Sequence, residues 1–349
     1  MANVIGLVAG ILCIVQFGFD NLSPPKPEGS TVRITVGLDV NGGLSNSGGD
    51  LPDIRLFNEA GGFLGISADP GKVESGKFSD ITVRHKGDAG DQATYTLFSA
   101  NNDAICVAAA SITWPNGDSY GWVGDWGRRC GGTWYYSNVY IGSTQYTPDC
   151  LWIDANNDQP QTGFQVHWPE FANKNSSKIP DTPEDQAAKI DSLCSAGPPF
   201  KMYVQPDTDP NGITYWVPRT RRSSGLDQRG VATTSYGLPK HSIHSKYRRN
   251  IRTNGTTVPN VIGTSLVISD SDTHSATDLC ESETSYGPDF FNVKTGMFCR
   301  MSDKTLWPMC NSTSVAGNCF NVDSQELVIN GLAARGEPYK KIIDWTSSQ

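Results

Sequence analysis

A chain of 349 residues is long enough for two cores, and a net charge of −8 sets its own field against phosphates, which argues against nucleic acid as a partner. Thirty-six glycines and 21 prolines punctuate the chain too often for a helical protein and fit a turn-rich all-β one.

The first element is the run VIGLVAGILCIVQFGF, residues 4–19, uncharged and apolar over 16 residues. A membrane span needs about 20 residues, so the run has the length of a signal-peptide core, and residues 1–22 are expected to be a signal peptide or signal anchor. No Lys or Arg precedes it and no small-x-small cleavage site follows. A buried strand or helix of the folded domain is the competing reading. NLSPPKPEGS, residues 21–30, is then a proline-rich linker, because fixed φ and missing N–H groups discourage regular structure.

From residue 30 the pattern has a period of two. Val32, Ile34, Val36 and Leu38 fall on one face of TVRITVGLDV, as in a half-buried strand. DIRLF, GFLGI, FSDITVRH, ATYTLFS and AICVAAASITW repeat the theme between Gly, Asp, Asn and Pro, which predicts an antiparallel sandwich over 30–145. TWYYSNVYI, residues 133–141, is expected as its last strand.

Residues 114–171 hold six of the nine tryptophans: Trp114, Trp122, Trp126, Trp134, Trp152 and Trp168. Indoles bury large apolar area yet want a partner for the N–H, so such a stretch makes either a sandwich core or the wall of a ligand cleft. Within it, Asp154, Asn156 and Asp158 have the one-apart spacing of a calcium loop, but Gln159 and Gln165 stand where such a loop needs Gly and a bidentate acid; an Asx turn is the alternative.

PEDQAAKIDSLC is the best helix candidate, opened by Thr182, with Asp185 three residues on, and by Pro183 in the first turn. FKMYV and ITYWV read as strands. Residues 219–252 then change character, with nine Lys and Arg against one Asp and no helical or strand period, so a long exposed basic loop is expected. Arg219-Thr220-Arg221-Arg222 resembles a dibasic processing site, and His241 and His244 lack the other ligands that zinc would need. Strand-like patterning resumes from 257, so 146–349 is expected to form a second β-rich domain, with Trp345 docking as an anchor.

Setting aside Cys13 in the apolar run leaves an even number of cysteines: Cys106, Cys130, Cys150, Cys194, Cys280, Cys299, Cys310 and Cys319. None forms C-x-x-C and none has histidines at zinc spacing, so disulfides are expected and no metal. Spacing favours Cys106 with Cys130, Cys150 with Cys194, and two bridges among the last four. Sequons at Asn21, Asn175, Asn254 and Asn311 agree with passage through the secretory pathway, to a secreted or vesicular destination. Contact with a membrane is expected only through the N-terminal segment, if it stays uncleaved.

The chain carries no G-x-S-x-G elbow, Gly-rich phosphate loop, H-E-x-x-H or Rossmann fingerprint, and no cofactor is expected. Paired carboxylates for a secreted hydrolase stay open, since their separation is a three-dimensional quantity. His167 in GFQVHWPEF is either an acid or base or a satisfied core residue.

The C-x-W-I-D block at Cys150, F-K-M-Y at Phe200 and G-P-D-F at Gly287, with a basic segment between the last two, resemble a family of secreted fungal proteins. The resemblance covers residues 30–345. Some members of that family are hetero-Diels-Alderases joining a tropolone-type o-quinone methide to a humulene-type sesquiterpene, and the resemblance points to that activity here, although the blocks mark fold and disulfides more than activity. Such a cycloaddition needs no nucleophile, metal or cofactor; two hydrophobic small molecules held face to face gain up to about 7–11 kcal/mol from orientation, and each donor aimed at the carbonyl adds about 3 kcal/mol. Candidate donors are Lys201, Tyr203, His167 and Arg219, with Trp122, Trp126, Tyr135, Trp152, Trp168 and Trp216 as walls. The same rings can instead serve a glycan- or lipid-binding protein without catalysis. The expected fold is all-β, with two antiparallel sandwich-like domains, one or two short helices and disulfide cross-links.

Overall fold

The computed structural model describes residues 22–37, 47–87, 90–141, 146–171, 182–217, 230–235, 264–310, 318–333 and 339–346. The apolar run at 4–19, all four sequons, Arg219, His241 and His244 lie outside them. Within them the fold is β throughout, with several antiparallel sheets, three short helices and four disulfides.

Two antiparallel sheets form the first sandwich. One runs Trp134–Tyr136, Asp149–Ile153, Ile105–Thr113, Gly29–Val36, Phe78–Arg84, with Ser119–Val123 also pairing along Ile105–Thr113. The other runs Phe200–Val204, Gln161–His167, Tyr95–Ser99, Asp53–Phe57, Phe63–Ser67. Their inner faces share one core, in which Val32, Ile34, Ile81 and Trp122 of the first sheet join Ile54, Phe98, Phe164 and Phe200 of the second. Gly29–Val36 was expected to be half-buried and is covered on both faces: Arg33 pairs with Asp80 at 2.7 Å and lies over the Phe78 ring, which hides the polar face.

The boundary expected at residue 145 is corrected by the pairing. Strands at 149–153, 161–167 and 200–204 belong to the first sandwich, because a β-strand satisfies its backbone groups on whichever neighbour is free, regardless of chain distance. TWYYSNVYI forms a strand only over Trp134–Tyr136. The basic segment is not loop throughout either: Gly230–Ser235 pairs with Gly212–Val217, where Val231, Thr233 and Thr234 supply β-branched side chains between charged flanks.

The C-terminal sheet runs Thr305–Pro308, Met297–Arg300, Asp289–Asn292, Ser265–Ser269, Lys341–Trp345, and Ser265–Ser269 is parallel to both of its neighbours. Helix Ala276–Glu281 crosses between the parallel partners Ser265–Ser269 and Asp289–Asn292. A small meander, Cys319–Asn321, Glu326–Ile329 and Leu332–Ala333, extends it. Trp134, Tyr135, Tyr136 and Trp152 of the sandwich share a core with Phe290, Ile343 and Trp345 of this sheet. Helix Pro183–Ser195 begins where its cap predicts, with Thr182 Oγ1 accepting the Asp185 N–H.

Two of the expected bridges are corrected. The pairs are Cys106–Cys150 and Cys130–Cys194, with Cys280–Cys299 and Cys310–Cys319 among the last four. Cys106 and Cys150 stand on neighbouring strands, and Cys130 follows the short helix Asp125–Arg129, which leans on the helix carrying Cys194.

Candidate functional site

A cleft of about 470 Å³ opens at one end of the sandwich, lined by Glu59, Gln92, Thr94, Trp114, Asp118, Tyr120, His167, Pro169 and Glu170. Local sequence places each wall. Trp114 and Tyr120 flank the hairpin turn of PNGDS, where Trp114 N–H donates to Asp118 O and Gly117 takes φ +90°. Their rings stand 4.6 Å apart, and Trp114 Nε1–H is held by Ala93 O, so the indole is fixed as a wall. His167 ends its strand, and the Pro-containing 3-10 turn Trp168–Phe171 swings Glu170 back toward it.

Glu59 comes from a turn in which Asn58 Oδ1 accepts the N–H groups of Ala60 and Gly62. Gly61 sits at φ +75°, and a Cβ there would lie 2.7 Å from the Tyr215 ring, so the turn requires glycine on both counts. Glu59 Oε2 lies 2.8 Å from His167 Nε2. On the other side, Glu170 Oε1 is 3.7 Å from Nδ1, close enough for an ion pair and too far for a hydrogen bond. His167 is only 3% exposed and stacks on Tyr95 at 4.2 Å. Burial pulls its pKa down, but the Glu170 and Glu59 carboxylates outweigh that and the net shift is upward. Glu170 is held below the usual carboxylate range, first by His167 and despite burial, and it also accepts Trp216 Nε1–H at 3.2 Å.

Of the candidate donors among the described residues, His167 alone lines the cleft; Arg219 lies outside them. Lys201 reaches Thr214 Oγ1 at 3.4 Å over the Tyr203 ring, and Tyr203 OH donates toward Gln165 Oε1 and Gly212 O. Burial raises the Tyr203 pKa. Both residues anchor the Gly212–Val217 hairpin to the sandwich. None of the six proposed walls lines the cleft. Trp122 lies between Phe164 and Phe200, at 4.8 and 5.6 Å, in the sandwich core. Trp126 packs on Phe171, and Trp168 donates Nε1–H to Thr96 Oγ1. Tyr135 and Trp152 lock the C-terminal sheet on, through Pro288 O and Tyr286 O. Trp216, partly exposed, reaches the cleft only through Glu170.

The loop at Asp154 is an Asx turn: Asp154 Oδ2 accepts the N–H groups of Asn156 and Asp158, and burial lifts the carboxyl to about 6. Among the described residues no group of three His, Cys, Asp or Glu side chains is placed to hold a metal. Away from the cleft, His274 is buried with its pKa lowered to about 4, and its Nδ1 meets Ser269 Oγ at 2.8 Å inside the C-terminal core.

Sequence reasoning missed Glu59, Thr94 and Glu170, and it placed Trp114 in the aromatic stretch without choosing it or Tyr120 as a wall. Glu170 is three residues from His167 and could have been found; Glu59 is 108 residues away and could not. No family model matches this sequence and no curated protein matches it. Fold and site together describe an all-β, disulfide-bonded protein with an aromatic-walled acidic cleft around a buried histidine.

Proposed function

We propose that the protein is a pericyclase of the hetero-Diels-Alder type, secreted or vesicular, with its site in the cleft at His167. The supporting observation is that a buried, carboxylate-flanked imidazole stands beside a fixed aromatic wall. A cycloaddition asks for these two things: a flat surface to hold one reactant against the other, and a proton-bearing donor for the oxygen on which charge builds. One of the blocks that carry the resemblance runs on into HWPEF and delivers His167 and Glu170 to the cleft. The other two pack elsewhere, F-K-M-Y under the hairpin and G-P-D-F against Tyr135. Four disulfides point to an oxidising, extracellular or secretory environment, and no helix of the described residues is long and apolar enough to cross a membrane.

A second reading is a glycan-binding protein without catalysis. It is favoured by the open shape of the cleft and by its three carboxylates, Glu59, Asp118 and Glu170, which can accept hydrogen bonds from sugar hydroxyls.

Chiral chromatography on a tropolone quinone-methide precursor mixed with humulenol, with and without the protein, separates the two. The cycloaddition reading expects faster formation of one enantiomer, and a loss of rate on the order of 10²-fold in His167→Ala. Racemic product at an unchanged rate, from folded protein, would reject this substrate pair, and glycan-array binding lost in Tyr120→Ala would then establish the second reading.

A further inference from the structure

Two of the buried polar atoms that make no hydrogen bond in the fold belong to residues of the same cleft: His167 Nδ1, which has Glu170 Oε1 beyond hydrogen-bond reach at 3.7 Å, and Thr94 Oγ1. The residues are neighbours across two strands, since Tyr95 pairs with His167 and the N–H of Trp168 donates to Thr94 O. Both are nearly closed to solvent, Thr94 at 6% and His167 at 3% exposure. An unmade hydrogen bond at a buried atom is costly, and two such atoms in one cleft suggest a ligand group that completes them.

The charged groups around the imidazole come from three directions. Glu59 approaches from its turn, Glu170 from the 3-10 turn with Lys189 beyond it, and Asp118 from the hairpin; Tyr95 offers only its ring face. Among the described residues no Lys or Arg lines the cleft. We propose that the cleft is an acid-switched site for a flat, uncharged ligand whose oxygen acceptor receives hydrogen bonds from His167 Nδ1–H and the Thr94 hydroxyl. This rests on the cleft being the functional site, and it deepens that reading by stating the substrate's chemistry.

The switch follows from the tautomer. The Glu59 carboxylate keeps a proton on Nε2 in either charge state. Protonated His167 therefore has a second N–H, on Nδ1, to offer the ligand. When that proton leaves, Nδ1 becomes a lone pair facing the same oxygen, and attraction turns to repulsion. A ligand anion meets three carboxylates against one imidazolium and is rejected; a cation finds carboxylates but nothing to use the two orphaned atoms.

The test uses three one-ring probes of the same shape: benzamide, benzoate and benzamidine. Ligand-observed NMR titrations with the full-length protein at pH about 5 and about 9 read their affinities. Benzamide is expected to bind best, at least about tenfold more weakly at the higher pH and again in Thr94→Val. Glu59→Gln, at an exposed position, is expected to move the midpoint of the pH profile downward, because it removes a carboxylate that holds the proton on the ring. A merely structural Glu59 would leave that midpoint in place. Preference for benzamidine, a flat benzamide profile, or no binding of any probe would overturn the proposal. A flat profile alongside a single-enantiomer product would overturn the switch and leave the cycloaddition standing; racemic product with a steep profile would do the reverse.

Discussion

Asp125 shows how a single residue makes this fold depend on pH. It is buried beside Asp149, with Arg128 committed to Asp149 at 2.9 Å and to Asp278 at 2.9 Å. Burial first, then the Asp149 charge, push the Asp125 pKa upward. A carboxyl whose folded pKa exceeds its unfolded value contributes stability that is complete below the unfolded pKa and is lost as pH rises through the folded one. Thermal melts are therefore expected to fall from mildly acidic to alkaline pH, and Asp125→Asn, which has no proton to lose, should flatten that fall. An unchanged slope in the variant would move the cause to another group. His167 acts in the same direction, since its pKa is also raised.

At the scale of elements, the hairpin Gly212–Val217 with Gly230–Ser235 is tied to the sandwich through the side chain of Gln165. Gln165 Nε2 shares its two protons among Gly197 O, Pro198 O and Thr214 O, while its Oε1 accepts Tyr203 OH and Thr214 N–H. Gln165→Leu strands these buried groups at once, and a loss of about 2–4 kcal/mol is expected, with faster amide exchange confined to the hairpin. Exchange that rises uniformly over the sandwich would show that Gln165 supports the whole core instead. This network was illegible in the sequence. Gln165 reads there as an ordinary alternate residue of GFQVH, and only the meeting of three separate segments makes it a hub.

Across the whole molecule, sandwich and C-terminal sheet are joined by oriented aromatic contacts. Tyr136 OH donates to Ser275 O and accepts the Ser275 N–H, Trp134 Nε1–H donates to Ser282 Oγ, and Arg128 stacks on Trp134 at 3.7 Å. A joint built this way makes the two parts unfold together, so one calorimetric transition is expected. The Cys130–Cys194 bridge closes a separation of 64 residues. Replacing both cysteines by alanine should cost about 2–4 kcal/mol and keep the single transition. Two resolved transitions in the unaltered protein would reject the cooperative joint.

The all-β class, the turn-rich strands, the Thr182-capped helix and the disulfide character were legible in the sequence, because they follow from local periodicity, φ preference and cysteine count. The partners of Cys106 and Cys130, the strands that complete the sandwich after residue 145, and the fate of the tryptophans were decided by tertiary structure. Six rings chosen as walls satisfy the chemistry of a wall and of a core equally well, and position at the rim of the sandwich, which separates the two, exists only once the sheets have closed on each other. The same holds for His167. Its sequence neighbours supply Glu170, but the carboxylate of Glu59 arrives from a strand turn far along the chain, and it is the pair together that gives the imidazole a held proton.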